Sequence, residues 1–379
     1  MRTKAVIIAT LLATPLISSC RGTDRAQKPT QTKPARWVAQ YRSPASQKYA
    51  GTTALARFSY NAISVVSPAA IFVAADVPNP KDPESQVAQL IRTTDGGQTW
   101  AEFEVPAISS LNAIHFISQS VGWVAGADPK GQGIVAKTTD GGQRWSTTKL
   151  EFKQIPTAIF FANDREGWLG GVAPIEGEED QMGGPSDILA TTDGGQSWFS
   201  QRRIPTSITD LFFLDQRRGW AVGYNGAIYQ TTDGGIRWEQ QKSELEPGDI
   251  PVFEGDRRYR FIISGVHFVD DQRGWAAARS GIEDIQVGRV LATTNGGRTW
   301  SRIWATDFRV RDVFFVSPSQ GWAAAATSKY VYHTTDGGAS WQVEPIDFEQ
   351  DVSLYRIAGA DPSHVWAVGA GAIFYRRAD

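Results

Sequence analysis

The chain has 379 residues and a formal net charge of −2, which excludes the large basic excess of a general nucleic-acid binder. Fourteen Trp and thirty-seven Gly against two Met suit a turn-rich, aromatic-packed β protein and not a helical one. The only cysteine is Cys20, so no disulfide can form within the chain.

Arg2 and Lys4 precede a short apolar run, Ala5 to Ile17, interrupted by Pro15. The run is too short to span a bilayer as a helix but suits the core of a signal peptide. It ends in Ile17-Ser18-Ser19-Cys20, which is similar to a bacterial lipobox. Residues 1–19 are therefore expected to be a lipoprotein signal peptide and Cys20 the lipidation site. The plainer alternative is a secretory signal with an incidental cysteine, against the coincidence of basic start, apolar run and small residues. Arg21 stands where an aspartate would mark inner-membrane retention. Residues 21–34 are polar and Pro-containing and cannot bury a core, so 20–36 reads as the lipidated cysteine and a flexible tether. The chain is expected to be exported and lipid-anchored on the periplasmic, lumenal or outer-surface side of a membrane.

From residue 37 onward the sequence repeats. Thr-Thr-Asp-Gly-Gly-x-x-Trp occurs at Thr93–Trp100, Thr138–Trp145, Thr191–Trp198, Thr231–Trp238 and Thr334–Trp341, and Thr293–Trp300 is a copy with Asn295 for Asp. Gly-Trp pairs stand at 122, 167, 219, 274 and 321, with Val365-Trp366 as a relative. Ahead of them lie seven strand-like segments that align in columns, beginning at Asn61, Asn112, Thr157, Thr209, Ser264, Arg311 and Tyr355. Their third column is always aliphatic (Ile63, Ile114, Ile159, Leu211, Val266, Val313, Ile357). Seven aligned strands, spaced irregularly, predict seven four-stranded blades with loop insertions: an all-β, seven-bladed β-propeller over residues 37–379.

Each blade reads as an inner strand A, a Gly-Trp strand B, a strand C running into the box, and an outer strand D opening at the box tryptophan. Asp-Gly supplies the hairpin turn. The seventh repeat stops after strand C, and residues 37–42, which resemble the other D strands, are expected to complete it. The N-terminal strand would then close the ring and leave no open sheet edge.

The boxes are similar to the Asp-box, or bacterial neuraminidase (BNR), repeat. Combined with the Gly-Trp motif, they make the chain resemble the photosystem II stability and assembly factor family. Supporting stretches are Asp256-Arg-Arg-Tyr-Arg-Phe261, running to Trp300-Ser-Arg-Ile, and Val365-Trp-Ala-Val-Gly369. The resemblance implies a lumenal or lipid-anchored propeller that binds early photosystem II intermediates, notably the precursor of the D1 subunit, with an arginine patch associated with that binding. Photosystem II subunits would be partners only where the host is oxygenic. The long insertions depart from the family pattern.

Those insertions sort onto one face. Residues 76–88, 127–132, 173–187 and 280–288 fall between strands B and C, and 243–260 joins a strand D to a strand A, whereas Asn225-Gly226 makes a tight B–C turn. Insertions crowding one face mark a binding face, against the bland alternative of drift in exposed loops. The same face is expected to collect Arg202, Arg203, Arg257, Arg258, Tyr259, Arg260, Arg309, Arg311 and Arg356 as partner contacts. Guanidinium groups there would take carboxylate or phosphate groups of a partner. The bland reading is solvated arginines, some paired with Glu176, Glu178, Glu179, Glu244 or Asp256.

A catalytic propeller is the competing class. Arg203-Ile204-Pro205 has the letters of a sialidase motif but follows the third box, and no spacing singles out a carboxylate pair. His115, His267, His333 and His364 lack metal-ligand spacing, and His115 and His267 share a packing column with Phe160, Phe212 and Phe314. The sequence therefore reads as a monomeric, non-catalytic, membrane-anchored assembly scaffold for membrane-protein intermediates, without metal, cofactor or nucleic acid. A sialidase-like or other Asp-box glycoside hydrolase is the alternative.

Overall fold

The glycine of each Gly-Trp pair is fixed by a ring. A Cβ on Gly122, Gly167, Gly219, Gly274 or Gly321 would lie 2.3–2.6 Å from the phenylalanine closing strand A of the same blade. In the computed structural model of the chain, this contact lets strand B lie flat against strand A. The tryptophan that follows then turns to the next blade. The structure describes residues 35–44, 46, 57–79, 82–245, 261–281, 286–326, 328–348 and 352–378. The signal peptide, Cys20 and most of the tether lie outside them.

Among the described residues there are thirty-one strands and no α-helix. They build seven four-stranded antiparallel units, two of which are joined in one eight-stranded sheet. The inner strands are Ser59–Val65, Ser110–Phe116, Ile155–Phe161, Ile208–Phe213, Phe261–Phe268, Val310–Phe315 and Leu354–Asp361. Each contacts the next, and the seventh contacts the first, so the sheets close into a ring around a channel. The expected propeller is present, and residues 127–132, 173–187 and 280–288 do connect strands B and C. The 76–88 insertion is not a loop: it extends strands B and C of blade one, Ile71–Asn79 and Asp82–Thr93, into a long hairpin. Asn225 and Gly226 have φ of 58° and 67°, the left-handed pair a two-residue hairpin turn requires.

Between blades the Gly-Trp tryptophan is the main packing element. Trp123 stacks on Phe161 of the next blade at 3.6 Å, Trp168 on Phe213 at 4.0 Å, Trp220 on Phe268 at 3.5 Å and Trp275 on Phe315 at 3.7 Å. The box tryptophans Trp198, Trp238, Trp300 and Trp341 meet the same phenylalanines edge-on. Stacked and edge-on aromatic pairs each add about 0.5–1.5 kcal/mol beyond their buried area. The indole N–H also spans the gap: Trp123, Trp168, Trp220 and Trp275 donate to the carbonyls of box glycines Gly194, Gly234, Gly296 and Gly337 at 2.9–3.2 Å.

The boxes are self-contained turns. In blade three the Thr191 hydroxyl donates to Asp193 Oδ1 at 2.8 Å and accepts the Gly195 N–H at 3.0 Å, while Asp193 Oδ1 also accepts the Ser197 N–H. The Ser197 hydroxyl, which donates to Asp193 Oδ2 at 2.6 Å, then the Ser197 N–H and the Thr191 hydroxyl hold the Asp193 carboxyl at about 2, below the usual range. Asn295 reproduces the geometry through its amide, accepting the Thr299 N–H and donating to the Thr299 hydroxyl.

The seventh blade is completed from the N-terminus. Arg36–Tyr41 pairs antiparallel with Ile373–Arg377 and parallel with Gln342–Asp347 of blade six. No box exists at this seam. Buried Glu344 there accepts the Trp37 indole N–H at 2.9 Å and the Arg376 guanidinium at 2.7 Å, and contacts His333 at 3.2 Å. Gln40 relays the inter-blade bond, accepting from Trp366 and donating to Gly96 of blade one. Blade five gains a fifth strand, because Lys242–Ser243 runs parallel along its outer edge.

Candidate functional site

Every inner strand carries a β-bulge, and the bulged residue is always the first-column residue: Asn61, Asn112, Thr157, Thr209, Ser264, Arg311 and Tyr355. A bulge leaves its extra residue out of the ladder and re-aims the side chain. All seven line one mouth of the channel, a cavity of about 490 Å³ shared with Tyr224, Arg279 and Arg356. The mouth lies at the start of the A strands and the end of the B strands, the face from which the insertions project.

Around this mouth the small bulged residues bridge neighbouring blades. Asn61 donates to the Leu111 carbonyl at 2.7 Å, Asn112 to Pro156 at 3.1 Å, Thr157 to Ile208 at 2.8 Å, Thr209 to Ile263, and Ser264 to Val310 at 3.4 Å. The ladder runs from blade one to blade six. At the next two positions the residues become large: Arg311, whose guanidinium lies 5.7 Å from the ring centroid of Tyr355.

Arg311 belongs to a cluster. Arg279, half-buried at the end of strand B in blade five, feels the positive fields of Arg311, Arg309 and Arg356. Burial, then Arg311, lowers its guanidinium to about 10. Its Nη1 donates to the Ser280 carbonyl at 3.3 Å, and its buried Nε has no partner among the described residues. Arg289 stands beside Phe261 in the same blade. Crowding positive charge where water is partly excluded is costly, so a site of this kind favours anions.

Beneath the mouth lies a layer of buried and half-buried acids. Asp312 accepts the Ile357 N–H of blade seven and its neighbour Val313 N–H, and Asp210 accepts the Val266 N–H of blade five at 2.9 Å. Arg356 donates to the Ser264 carbonyl at 2.6 Å and its field reaches both aspartates. Burial raises the Asp312 carboxyl to about 7 against the lowering by Arg356. Asp210 is raised by burial as well. Asp76, bonded to Leu111 N–H and Asn61, is raised by burial to about 6.

Deeper, the channel is lined by the aliphatic third column and then by His115, Phe160, Phe212, His267 and Phe314. The two histidines pack against these rings at 4.5–5.0 Å, and burial lowers both to about 4, keeping them neutral. No group of three or more His, Cys, Asp or Glu among the described residues could hold a metal.

Of the arginines expected on this face, Arg311 and Arg356 line the mouth, whereas Arg309 is buried within the field of Arg279 and not on the surface. Arg202 and Arg203 sit on the outermost strand of blade three, where Arg203 pairs with Asp187 at 2.8 Å. Arg257, Arg258, Tyr259 and Arg260 lie outside the described residues. Glu244 is spent on the Arg302 N–H and the Ser301 hydroxyl at the edge of blade five. Sequence reasoning missed Arg279 and Arg289. The signal for Arg279 was there: five residues on from the Gly-Trp glycine or its counterpart, the chain reads Asp76, Ala127, Val172, Tyr224, Arg279, Ala326 and Ala370.

A sequence model of the photosynthesis system II assembly factor YCF48 family matches residues 200–307, which include blade five and Arg279. Over this stretch the chain is similar to the photosystem II assembly factor family. It is 28% identical over 165 residues, 43% of this chain and 44% of the relative, to the photosystem II assembly lipoprotein Ycf48 of Synechococcus sp. (strain CC9902). It is 30% identical over 133 residues, 35% of this chain and 34% of the relative, to the protein of the same name from Prochlorococcus marinus. The matches thus span about half or less of these curated relatives. Among solved structures, YCF48 bound to D1 peptide superposes with a TM-score of 0.60 at 17% identity, covering 92% of this chain and 96% of that one. A GH74 enzyme from Niastella koreensis gives 0.59 at 13% identity, covering 84% of this chain and 53% of that one. At these identities both show the propeller fold alone.

Proposed function

We propose that the chain is a non-catalytic assembly scaffold, lipid-anchored through Cys20 on the exported side of a membrane, that binds photosystem II subunit intermediates through the arginine-lined channel mouth. The observation that carries this reading is the cluster of Arg279, Arg311 and Arg356 lining the mouth at the face bearing the insertions. Bidentate guanidinium groups suit acidic protein segments. Arg257, Arg258, Tyr259 and Arg260, in the connection leading into blade five, would widen the same surface, and Arg202 and Arg203 would extend it to the rim. Support also comes from the family and from relatives named as lipoproteins. The channel carboxylates Asp76, Asp210 and Asp312 each accept a backbone N–H from the next blade, an inter-blade role that needs no catalysis.

The test replaces Arg279, Arg311 and Arg356 together with Glu and captures photosystem II subunits from solubilised membranes of the host. Recovery should fall at least tenfold, with an unchanged β-rich circular dichroism spectrum, and wild-type capture should weaken with salt. Equal recovery by the triple variant, or hydrolysis of β-glucans or sialosides at enzymatic rates, would overturn the reading. Loss of the membrane fraction on Cys20→Ala tests the anchor.

A further inference from the structure

We propose that anion capture at the channel mouth is proton-linked: the Asp210–Arg356–Asp312 layer takes up a proton when an acidic segment binds, so binding tightens as pH falls. The inference rests on the reading of the mouth as an anion site and adds its regulation.

The geometry holds these acids in place. Asp312 is buried, and one carboxylate oxygen accepts the Ile357 N–H at 2.9 Å while the other accepts the Val313 N–H at 3.0 Å. The neighbouring inner strand makes room with Gly265, where a Cβ would lie 2.2 Å from Asp312 Oδ1. Neither carboxyl of the layer can swing out to water without giving up bonds between blades. A proton gained or lost there therefore acts on the mouth from a fixed position in the channel wall.

Two charges act on the Asp312 carboxyl, Asp210 of blade four and Arg356 of blade seven. Arg311, next to it on its own strand, and Arg279, from strand B of blade five, line the mouth above. Strand A of blade five offers Ser264, Gly265 and the neutral His267, and strand B of blade six pairs Asp312 with Ala324. With both aspartates ionised the layer carries a net −1 beneath the arginines. One proton cancels it and strengthens the positive field at the mouth. The carboxyl of Asp312 is raised to about 7, by burial first and by Asp210 in part, so the exchange falls near neutrality. A bound anion opposes the ionised acids and favours the protonated layer, and by linkage the protonated layer favours the anion.

The test is calorimetric titration of purified full-length protein with an acetylated, amidated tetra-aspartate peptide at pH 8, 7 and 6 and constant ionic strength. Two buffers of different ionisation enthalpy count the protons. Wild type should bind about 5–50-fold more tightly at pH 6 than at pH 8, in the range of ordinary coupling between sites, with net proton uptake at pH 7. Asp312→Asn should bind at pH 8 nearly as tightly as wild type at pH 6, with uptake largely lost. Asp210→Asn, which leaves the two bonds to Asp312 intact, should do the same more weakly. Binding by wild type with no proton uptake would overturn the linkage and leave the scaffold reading standing. Uptake retained in both variants would overturn the assignment to this layer. No binding at any pH would overturn the linkage and the anion site together.

Discussion

In blade three, Asp193 sits in its box with hydrogen bonds from the Thr191 hydroxyl and the Ser197 N–H. In blade five, Arg279 sits at the channel mouth among other arginines with its buried Nε unpartnered among the described residues. The first position is occupied by the same kind of residue in blade after blade; the second varies around the ring. Where the ring must hold together, the repeats converge on one solution in which the box threonine and aspartate are hydrogen-bonded. At the channel mouth they diverge and leave like charges together. A protein carries such cost where another molecule relieves it.

The harshest way to break the comparison is to open the ring. Deleting residues 36–42 removes the strand joining blades six and seven, together with Trp37 and Gln40. This should cost an amount comparable with the whole stability of a domain, roughly 5–15 kcal/mol, and expose a sheet edge that aggregates. A deletion of 21–34 serves as the control, and equal thermal midpoints would show that the seam contributes little. Next is Trp220→Ala, which removes a buried ring stacked on Phe268. A loss of about 3–5 kcal/mol is expected, read by urea denaturation. Within a box, Thr191→Val leaves the Gly195 N–H without its acceptor and should cost about 1–3 kcal/mol.

At the channel mouth the sign should reverse. Arg279→Gln removes a charge from a crowd of like charges, so stability should hold or rise by up to about 1 kcal/mol, while partner binding falls. A clear loss of stability would mean that Arg279 holds the fold and not the partner.

The subtlest test is the pH profile of the thermal midpoint. Box aspartates such as Asp140, Asp193 and Asp336 are held at about 2. Their stabilisation is full above the ordinary value of 3.8 and is lost as pH falls through about 2. Asp312 and Asp76 are raised to about 7 and 6. Their cost is absent below 3.8, grows as pH rises, and is complete above about 7. The midpoint should therefore rise from about pH 8 towards 5 and fall below about 4, and Asp312→Asn should flatten only the upper limb.

The two regions also differed in how well they could be read beforehand. The boxes, the seven inner strands, the closing strand at Trp37 and the Asn225-Gly226 turn were legible because each obeys a local rule or recurs. The mouth was half legible. Arg311 and Arg356 were found because they begin inner strands, but Arg279 ends a second strand, opposite no motif. Arg202 and Arg203 looked like their companions because they too lie near a D–A connection, yet an outer strand stands a full blade width from the channel. Chain position gives the face of a blade; radial distance comes only from strand order. The parallel strand Lys242–Ser243 had no signal either, since two residues carry no periodicity.

The seam has a consequence for how the molecule is made. Trp37 meets Arg376 and Ile346, so the first strand of the propeller finds its neighbours only when the last are synthesised. Six blades can assemble in order as the chain lengthens, each on the one before. The seventh must wait, with Phe374 and Trp366 lacking their cover, until the two ends meet across more than three hundred residues. Closing so long a loop is slow, and in that interval the half-finished sheet is a template for any other strand. Once the ends are joined, the same topology works in reverse: no single blade can peel away without first parting the beginning of the chain from its end.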